Sequence, residues 1–285
     1  MPAITLSAAR PFDLDCTLDC GQLFRWQRRD GAWVGVVGDA VIAARQEGPA
    51  LLFEGADERR IERYFQLDLD LPAILASIDR DPFIHAAIAR HRGLRLVRQD
   101  PWECLVSYIC AQNASIPFIR CMIENMARCF GAPLPSPWGT HHAFPGPEAL
   151  ASRELFDLRQ CSLGYRAGYV LDAARRVCGD PGWVERVGAL SFEEARAELM
   201  AFRGVGRKVA DCILLFAFQK FESFPVDVWI RRVMREHYLP GGGPDRGVSC
   251  REYDAIAGFA RDYFGEYAGY AQEYLFADAR AARKK

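Results

Sequence analysis

Residues 193–235 read EEARAELMAF, RGVGR, KVADCILLFAF, QKFESF and PVDVWIRRVMR in succession. Two runs with helical spacing flank a short turn that contains Gly204 and Gly206. Glycines one residue apart permit a tight turn and the close approach of another molecule. The second helix starts at about Arg207-Lys208, and its first amides have no partner inside the helix. Such amides form an anion site, so a phosphate fits there even on a chain without net positive charge. Gly204, Gly206, Arg207 and Val209 are the phosphate-binding candidates. Lys208 falls in the first turn, where the positive helix end and nearby Arg203 and Arg207 disfavour an ammonium. A lysine kept neutral is a nucleophile. Cys212, four residues on, shares its helix face. After a break at Pro225, Asp227 can cap the next helix and still hold a carboxylate at a cleft. Singly these features are commonplace: a helix-entry turn, a buried thiol, an N-cap. Their order is the specific signal.

Working outward, helical spacing continues on both sides, at about 101–112, 116–129, 148–157, 166–178, 191–202, 207–219, 227–238, 249–264 and 268–279. Asp100-Pro101-Trp102-Glu103 is a helix start, with a capping carboxylate, proline at the first position and Glu103 placed to reach back. Proline-rich 132–147 reads as a loop, and 240–247 (PGGGPDRG) as a mobile one. Nearer the N-terminus, LFRWQ, AWVGVV, AVIAAR and ALLFE within 22–54 form an antiparallel meander, punctuated by Asp30-Gly31, Gly38-Asp39 and Gly48-Pro49. Asp57–Phe65 and Pro82–Arg92 read as helices, and strand character returns at Leu94–Arg98. The expected fold class is α+β. A small antiparallel β-sheet domain with helices (1–98) precedes a mostly α-helical region (99–285), which contains the helix-hairpin-helix at about 193–219.

The 285 residues are half hydrophobic and 26% charged, which excludes wholesale disorder and allows a large core. A net charge of −1 excludes a blanket electrostatic grip on nucleic acid or anionic lipid and leaves local patches or backbone donors. Ten scattered cysteines without C-x-x-C spacing read as reduced thiols. The N-terminus shows no secretory pattern, and no apolar run approaches the roughly 18 residues of a membrane span. His141-His142 lacks further ligands at suitable spacing, so no metal is expected.

Six ordered segments add a resemblance over nearly the whole chain: CGQLFRW (20–26), RQDPWECLVSYICAQNAS (98–115), LGYRAGYV (163–170), GVGRKVADC (204–212), PVDVWI (225–230) and YAGYAQEYLF (267–276). They are similar to the helix-hairpin-helix DNA glycosylase superfamily, and within it to 8-oxoguanine DNA glycosylases of the eukaryotic type. The resemblance implies base-excision repair by a bifunctional glycosylase/lyase acting on duplex DNA as a monomer. Lys208 would attack the anomeric carbon and form a Schiff base, and Asp227 would stabilise charge on the sugar. Cys212 and Phe276 would sandwich the flipped base. The Gly21 carbonyl would accept the N7 hydrogen peculiar to 8-oxoguanine, and Gln272 would read the Watson–Crick edge. Asn113 would fill the vacated stack, with Tyr165 as a wedge and Arg166 reading the opposite cytosine. Two positions depart from the pattern. Phe118 stands where human-like members carry a second cytosine-reading arginine, which predicts a relaxed preference for the opposite base. Trp229 stands in place of a histidine that faces a phosphate. Only Cys250 lies beyond Cys212, so the iron–sulfur cluster of some relatives lacks its ligands, and no cofactor is expected. The hairpin carbonyls suit a monovalent cation by resemblance alone. The simplest location is a prokaryotic cytoplasm, or the nucleus of a eukaryote. Two rivals are a glycosylase for alkylated purines, which would lack Lys208 or the G-Q-x-F-R-W segment, and a non-catalytic DNA-binding protein, which would not need Lys208, Asp227 and Cys212 together.

Overall fold

Val34, Val36, Val41 and Ala43 alternate with inward residues that are equally apolar, so this meander must be covered on both faces. In the computed structural model, which describes residues 1–239 and 248–284, the chain opens with β1 (Ala3–Thr5), α1 (Leu14–Asp19), β2 (Trp26–Arg29), β3 (Ala32–Val37), β4 (Ala40–Glu47) and β5 (Ala50–Glu54). The strands form one antiparallel sheet in the order β1-β5-β4-β3-β2. Strand β1 is too short to signal itself by alternation; pairing of Ile4 with Leu51 makes it. One face packs Ile4, Trp26, Ile42 and Phe53 against α1 and α2 (Glu58–Tyr64). Trp26 lies flat on Gly35, where a Cβ would come within 2.3 Å of the ring, and its Nε1 donates to Tyr64 (2.7 Å).

The other face is covered by Leu134 and Trp138. These belong to a hairpin of β6 (Pro133–Ser136) and β7 (Gly139–His142), where the prolines predict a loop. A two-stranded ribbon has only edges, and there a proline costs no central ladder bond. Leu94–Arg98 differs in the opposite sense: it is in no sheet. Side chains tie its backbone instead. Gln22 donates to the Arg95 carbonyl (2.8 Å) and accepts from the Val97 amide (2.8 Å), and Gln66 donates to the Leu96 carbonyl (2.8 Å).

The helical region comprises α3 (Leu71–Ile78), α4 (Pro82–Arg90), α5 (Pro101–Cys110), α6 (Ile116–Phe130), α7 (Pro147–Ala151), α8 (Leu155–Gln160), α9 (Arg166–Cys178), α10 (Trp183–Ala189), α11 (Phe192–Met200), α12 (Arg207–Phe216), α13 (Val228–Val233), α14 (Cys250–Phe264) and α15 (Ala268–Lys284). A π-helical turn, Met234–Tyr238, prolongs α13. The helix expected at 148–157 is split, because Glu154 starts a new capping box with Asp157. Helix α12 stops at Phe216 rather than 219, and Gln219 takes left-handed backbone (φ +50°). Asp100 caps α5 as expected, but Glu103 does not reach back. It turns toward Arg25 (3.8 Å), and burial pushes its carboxyl up to about 7. The loop at 240–247 lies outside the described residues. Cys20 and Phe24 belong to the same core as α5, α12 and α15, so the segment around Gly21 is driven into the helical body.

Candidate active site

The hairpin follows α11, which begins in a capping box between Ser191 and Glu194. Gly204 has φ +83°, and a Cβ there would lie 2.4 Å from the Tyr169 ring, so both conformation and space require glycine. Gly206 caps α12 with no side chain, and open space surrounds its Cα. The Arg207, Lys208 and Val209 amides therefore lie in the unbonded first turn. Of the arginines near Lys208, Arg203 pairs with Asp172 (2.9 Å) and Arg207 with Asp254 (2.9 Å), so a carboxylate faces each guanidinium.

Half-buried Lys208 holds its Nζ 5.3 Å from the centre of the Tyr108 ring. It opens into a cavity of about 690 Å³ shared with Gly21, Asn113, Cys212, Asp227, Trp229, Gln272 and Phe276. Asp227 caps α13, and its Oδ1 accepts from the Trp229 (3.0 Å) and Ile230 (2.8 Å) amides. Both cap bonds fall on one oxygen, so the second stays outside the cap. Burial raises the Asp227 carboxyl above its ordinary range, against the pull of two backbone amides and Lys208. Burial also pushes the Cys212 thiol up to about 12, so it stays protonated and is a poor second nucleophile.

One buried knot joins the helix of the amine to the loop of the acid. Asp211, next to Cys212, accepts from the Tyr253 hydroxyl (2.6 Å) and pairs with Arg196 (2.9 Å). The same hydroxyl accepts from the Val226 amide (3.3 Å), directly before Asp227. Ser223 donates to the Asp211 carbonyl (2.8 Å). Burial pushes the Asp211 carboxyl up to about 6 despite Arg196.

The cavity's far wall is α15. Gln272 is buried with no partner for its Oε1 among the described residues, and Phe276 is half-buried. Gly21 has φ +116°, and a Cβ there would sit 2.9 Å from Arg280 Nη1 and 3.3 Å from the Phe276 ring. Only glycine lets the backbone come this close to the pocket.

Residues 4–105 match the family described as "8-oxoguanine DNA glycosylase, N-terminal domain", and residues 106–251 match "HhH-GPD superfamily base excision DNA repair protein". The chain belongs to that superfamily. It is 35% identical over 241 residues to a probable N-glycosylase/DNA lyase of Methanothermobacter thermautotrophicus, covering 78% of this chain and 74% of that one. It is 28% identical to the N-glycosylase/DNA lyase OGG1 of Arabidopsis thaliana, over 95% and 78% of the two chains. Its backbone is similar to that of Clostridium acetobutylicum 8-oxoguanine glycosylase/lyase, solved with double-stranded DNA containing cytosine opposite to 8-oxoG (TM-score 0.89, 34% identity, 95% and 93% covered). The chain is a DNA N-glycosylase and lyase of base excision repair.

Of the opposite-strand candidates in this glycosylase, Asn113 lines the cavity, and Phe118, Tyr165 and Arg166 do not. Asn113 is exposed with left-handed backbone (φ +48°), and its Nδ2 donates to Tyr165 (3.4 Å). Tyr165 and Phe118 are exposed (53% and 41%). Arg166, in contrast, is buried. Its guanidinium stacks on Tyr165 (4.5 Å) and donates to the carbonyls of Gln112 (Nε, 3.1 Å) and Asn113 (Nη2, 3.4 Å). It braces the Asn113 turn, and it must exchange those bonds to read a base. Sequence reasoning missed Tyr108, whose ring lies under Lys208 and stacks on Phe216 (5.7 Å), and Glu273 on α15. The one signal for Glu273 was a lone carboxylate inside the aromatic run YAGYAQEYLF. Among the described residues no His, Cys, Asp and Glu group is placed to hold a metal, and no helix is long and apolar enough to cross a membrane.

Proposed function

We propose that this glycosylase excises 8-oxoguanine from duplex DNA through Lys208, acting as a monomer. The observation that carries the reading is the convergence of Lys208, Asp227, Cys212, Gln272, Phe276 and Gly21 on one cavity, supplied entirely by one chain. The Lys208 amine attacks C1′ with its lone pair after giving up a proton, and the glycosidic bond breaks as the base leaves with its electrons and gains a proton. The sugar ring opens to a Schiff base, and loss of a proton from C2′ expels the 3′ phosphate, cutting the strand. The Asp227 carboxylate stabilises the positive sugar carbon. Flipping the base costs a few kcal/mol, roughly, offset here by stacking between the Cys212 sulfur and the Phe276 ring. The Gly21 carbonyl accepts the N7–H of the lesion, whereas undamaged guanine sets two acceptors face to face. Gln272 Oε1, unpartnered among the described residues, is available to the base edge. The hairpin amides of 207–209 and Trp229 hold phosphates. Borohydride treatment with an 8-oxoguanine duplex is expected to trap a covalent adduct and to coincide with base release. Release without an adduct overturns the amine mechanism, and an adduct formed only on abasic DNA overturns the substrate.

Asn113 and Tyr165 occupy the gap left in the stack, and Phe118 presents an apolar ring where readout of cytosine needs a donor. A good bidentate pair is worth about 1–3 kcal/mol of discrimination. Excision opposite T, G and A is therefore expected to fall within about tenfold of that opposite C, and Phe118→Arg to widen the spread about tenfold. Parallel single-turnover assays with the four opposite bases check this. A steep preference for C in the wild type defeats it.

A further inference from the structure

The face that α15 turns to the base cavity carries a carboxyl that the mechanism above does not use. Glu273 is 2% exposed, lines the cavity, and has no hydrogen-bond partner for its Oε1 among the described residues. Its surroundings come from five elements. The Cys20 thiol, at the end of α1, lies beside it and donates to the Thr17 carbonyl (3.2 Å). Tyr108 faces it from α5 and Cys212 from α12. Asp227, before α13, and Arg280, on α15, are the charged groups that act on it. Arg280 is spent elsewhere, since its Nη1 donates to the Asp19 carbonyl (2.6 Å). Buried polar groups nearly always find partners, and one left open toward a cavity takes its partner from what enters the cavity.

We propose that Glu273 is a specificity-determining residue whose carboxyl hydrogen-bonds the flipped base. The proposal rests on the reading of 8-oxoguanine as substrate. Burial, with Asp227 adding to it, pushes the carboxyl up to about 7, so the acid form is well populated near neutrality. A carboxylic acid offers a donor and an acceptor side by side. That doublet is complementary to a ring N–H beside a C=O. 8-Oxoguanine presents two such faces, N1–H with C6=O and N7–H with C8=O, and guanine only the first. Gln272, the adjacent residue, offers an amide with the same doublet and an Oε1 equally unpartnered among the described residues. Two neighbouring side chains thus hold matched donors and acceptors for one lesion.

The test separates the base from the sugar. Single-turnover rates are measured on an 8-oxoguanine duplex and on a duplex with a preformed abasic site, for wild type, Glu273→Ala and Glu273→Gln, across the neutral pH range. Glu273→Ala is expected to lower excision about tenfold or more, and to leave cleavage at the abasic site, which has no base to hold, within about twofold. In the wild type the acid form is lost as pH rises through about 7, so excision acquires a declining component there. Glu273→Gln keeps donor and acceptor at every pH and is expected to lack that component. Equal losses on both substrates mark a merely structural role and overturn the proposal. So does a Glu273→Ala variant that excises as well as the wild type. If the alanine variant does not fold, the isosteric glutamine decides: an unchanged pH profile overturns the proposal. Wild-type protein that cuts abasic DNA but leaves 8-oxoguanine in place overturns the substrate reading and this one with it.

Discussion

Lys208→Gln is expected to lower single-turnover release of 8-oxoguanine by at least about a thousandfold, because loss of a nucleophile removes the covalent route altogether. Affinity for the duplex should change by no more than about threefold, since backbone amides of the hairpin and α12, not this amine, make the anion site. Glutamine is close in length and keeps the stem over the Tyr108 ring, where the Nζ lies 5.3 Å from the centre. It removes only the lone pair that attacks C1′. Base release and gel retardation, measured on one preparation, check both halves. Residual excision within tenfold of wild type would mean that another group attacks. Cys212 is then the nearest alternative, and its thiol, pushed up to about 12 by burial, is poorly suited to the task.

Asp227→Asn should cost about a hundred- to a thousandfold in excision, the range for loss of a preorganised electrostatic partner. Asparagine caps a helix about as well as aspartate. The bonds to the Trp229 and Ile230 amides therefore survive, and charge is what is lost. The sign of the stability effect also follows. Burial raises the folded carboxyl above its unfolded value, so as pH climbs through that window the native state loses stability to the buried charge. A neutral amide carries no such cost, and the variant should melt no lower than wild type at neutral pH. A clear drop in melting temperature would show that the charge stabilises the fold, and the separation of cap from charge would fail. In the wild type, excision should decline on the acid side as this carboxylate is protonated, above the usual aspartate range.

The parts of the molecule that were legible share one property: local chemistry dictates them. The Gly204–Gly206 turn, the Asp100-Pro101 helix start and the meander turns are all decided within a few residues. What escaped was decided at long range. The 133–142 hairpin exists because Val34 and Val36 need a cover, which outweighs three local prolines. Leu94–Arg98 imitates a strand because it is wrapped on both sides, but the side chains of Gln22 and Gln66 hold its middle, and only its ends bond to backbone, Arg98 to the Tyr64 carbonyl and Leu94 to that of His91. Glu103 was drawn from its cap by Arg25, seventy-odd residues away in the chain. At the site, the hairpin with Lys208, Cys212 and Asp227 could be read from order and spacing. The pocket wall of Gly21, Gln272 and Phe276 came from family resemblance, since no local pattern links positions some 250 residues apart. Arg166, which resemblance assigns to reading a base, braces the Asn113 turn in the DNA-free protein.

Asp211 fastens the helix bearing Lys208 to the loop bearing Asp227, by way of one tyrosine hydroxyl and one amide. The Lys208 helix and the Asp227 loop are therefore held together before any nucleic acid arrives, and substrate need not join them. Distortion is left to the double helix. A lesion that loosens its own stacking is then the easiest to extrude, so damage is screened by the mechanics of the duplex before its chemistry is read.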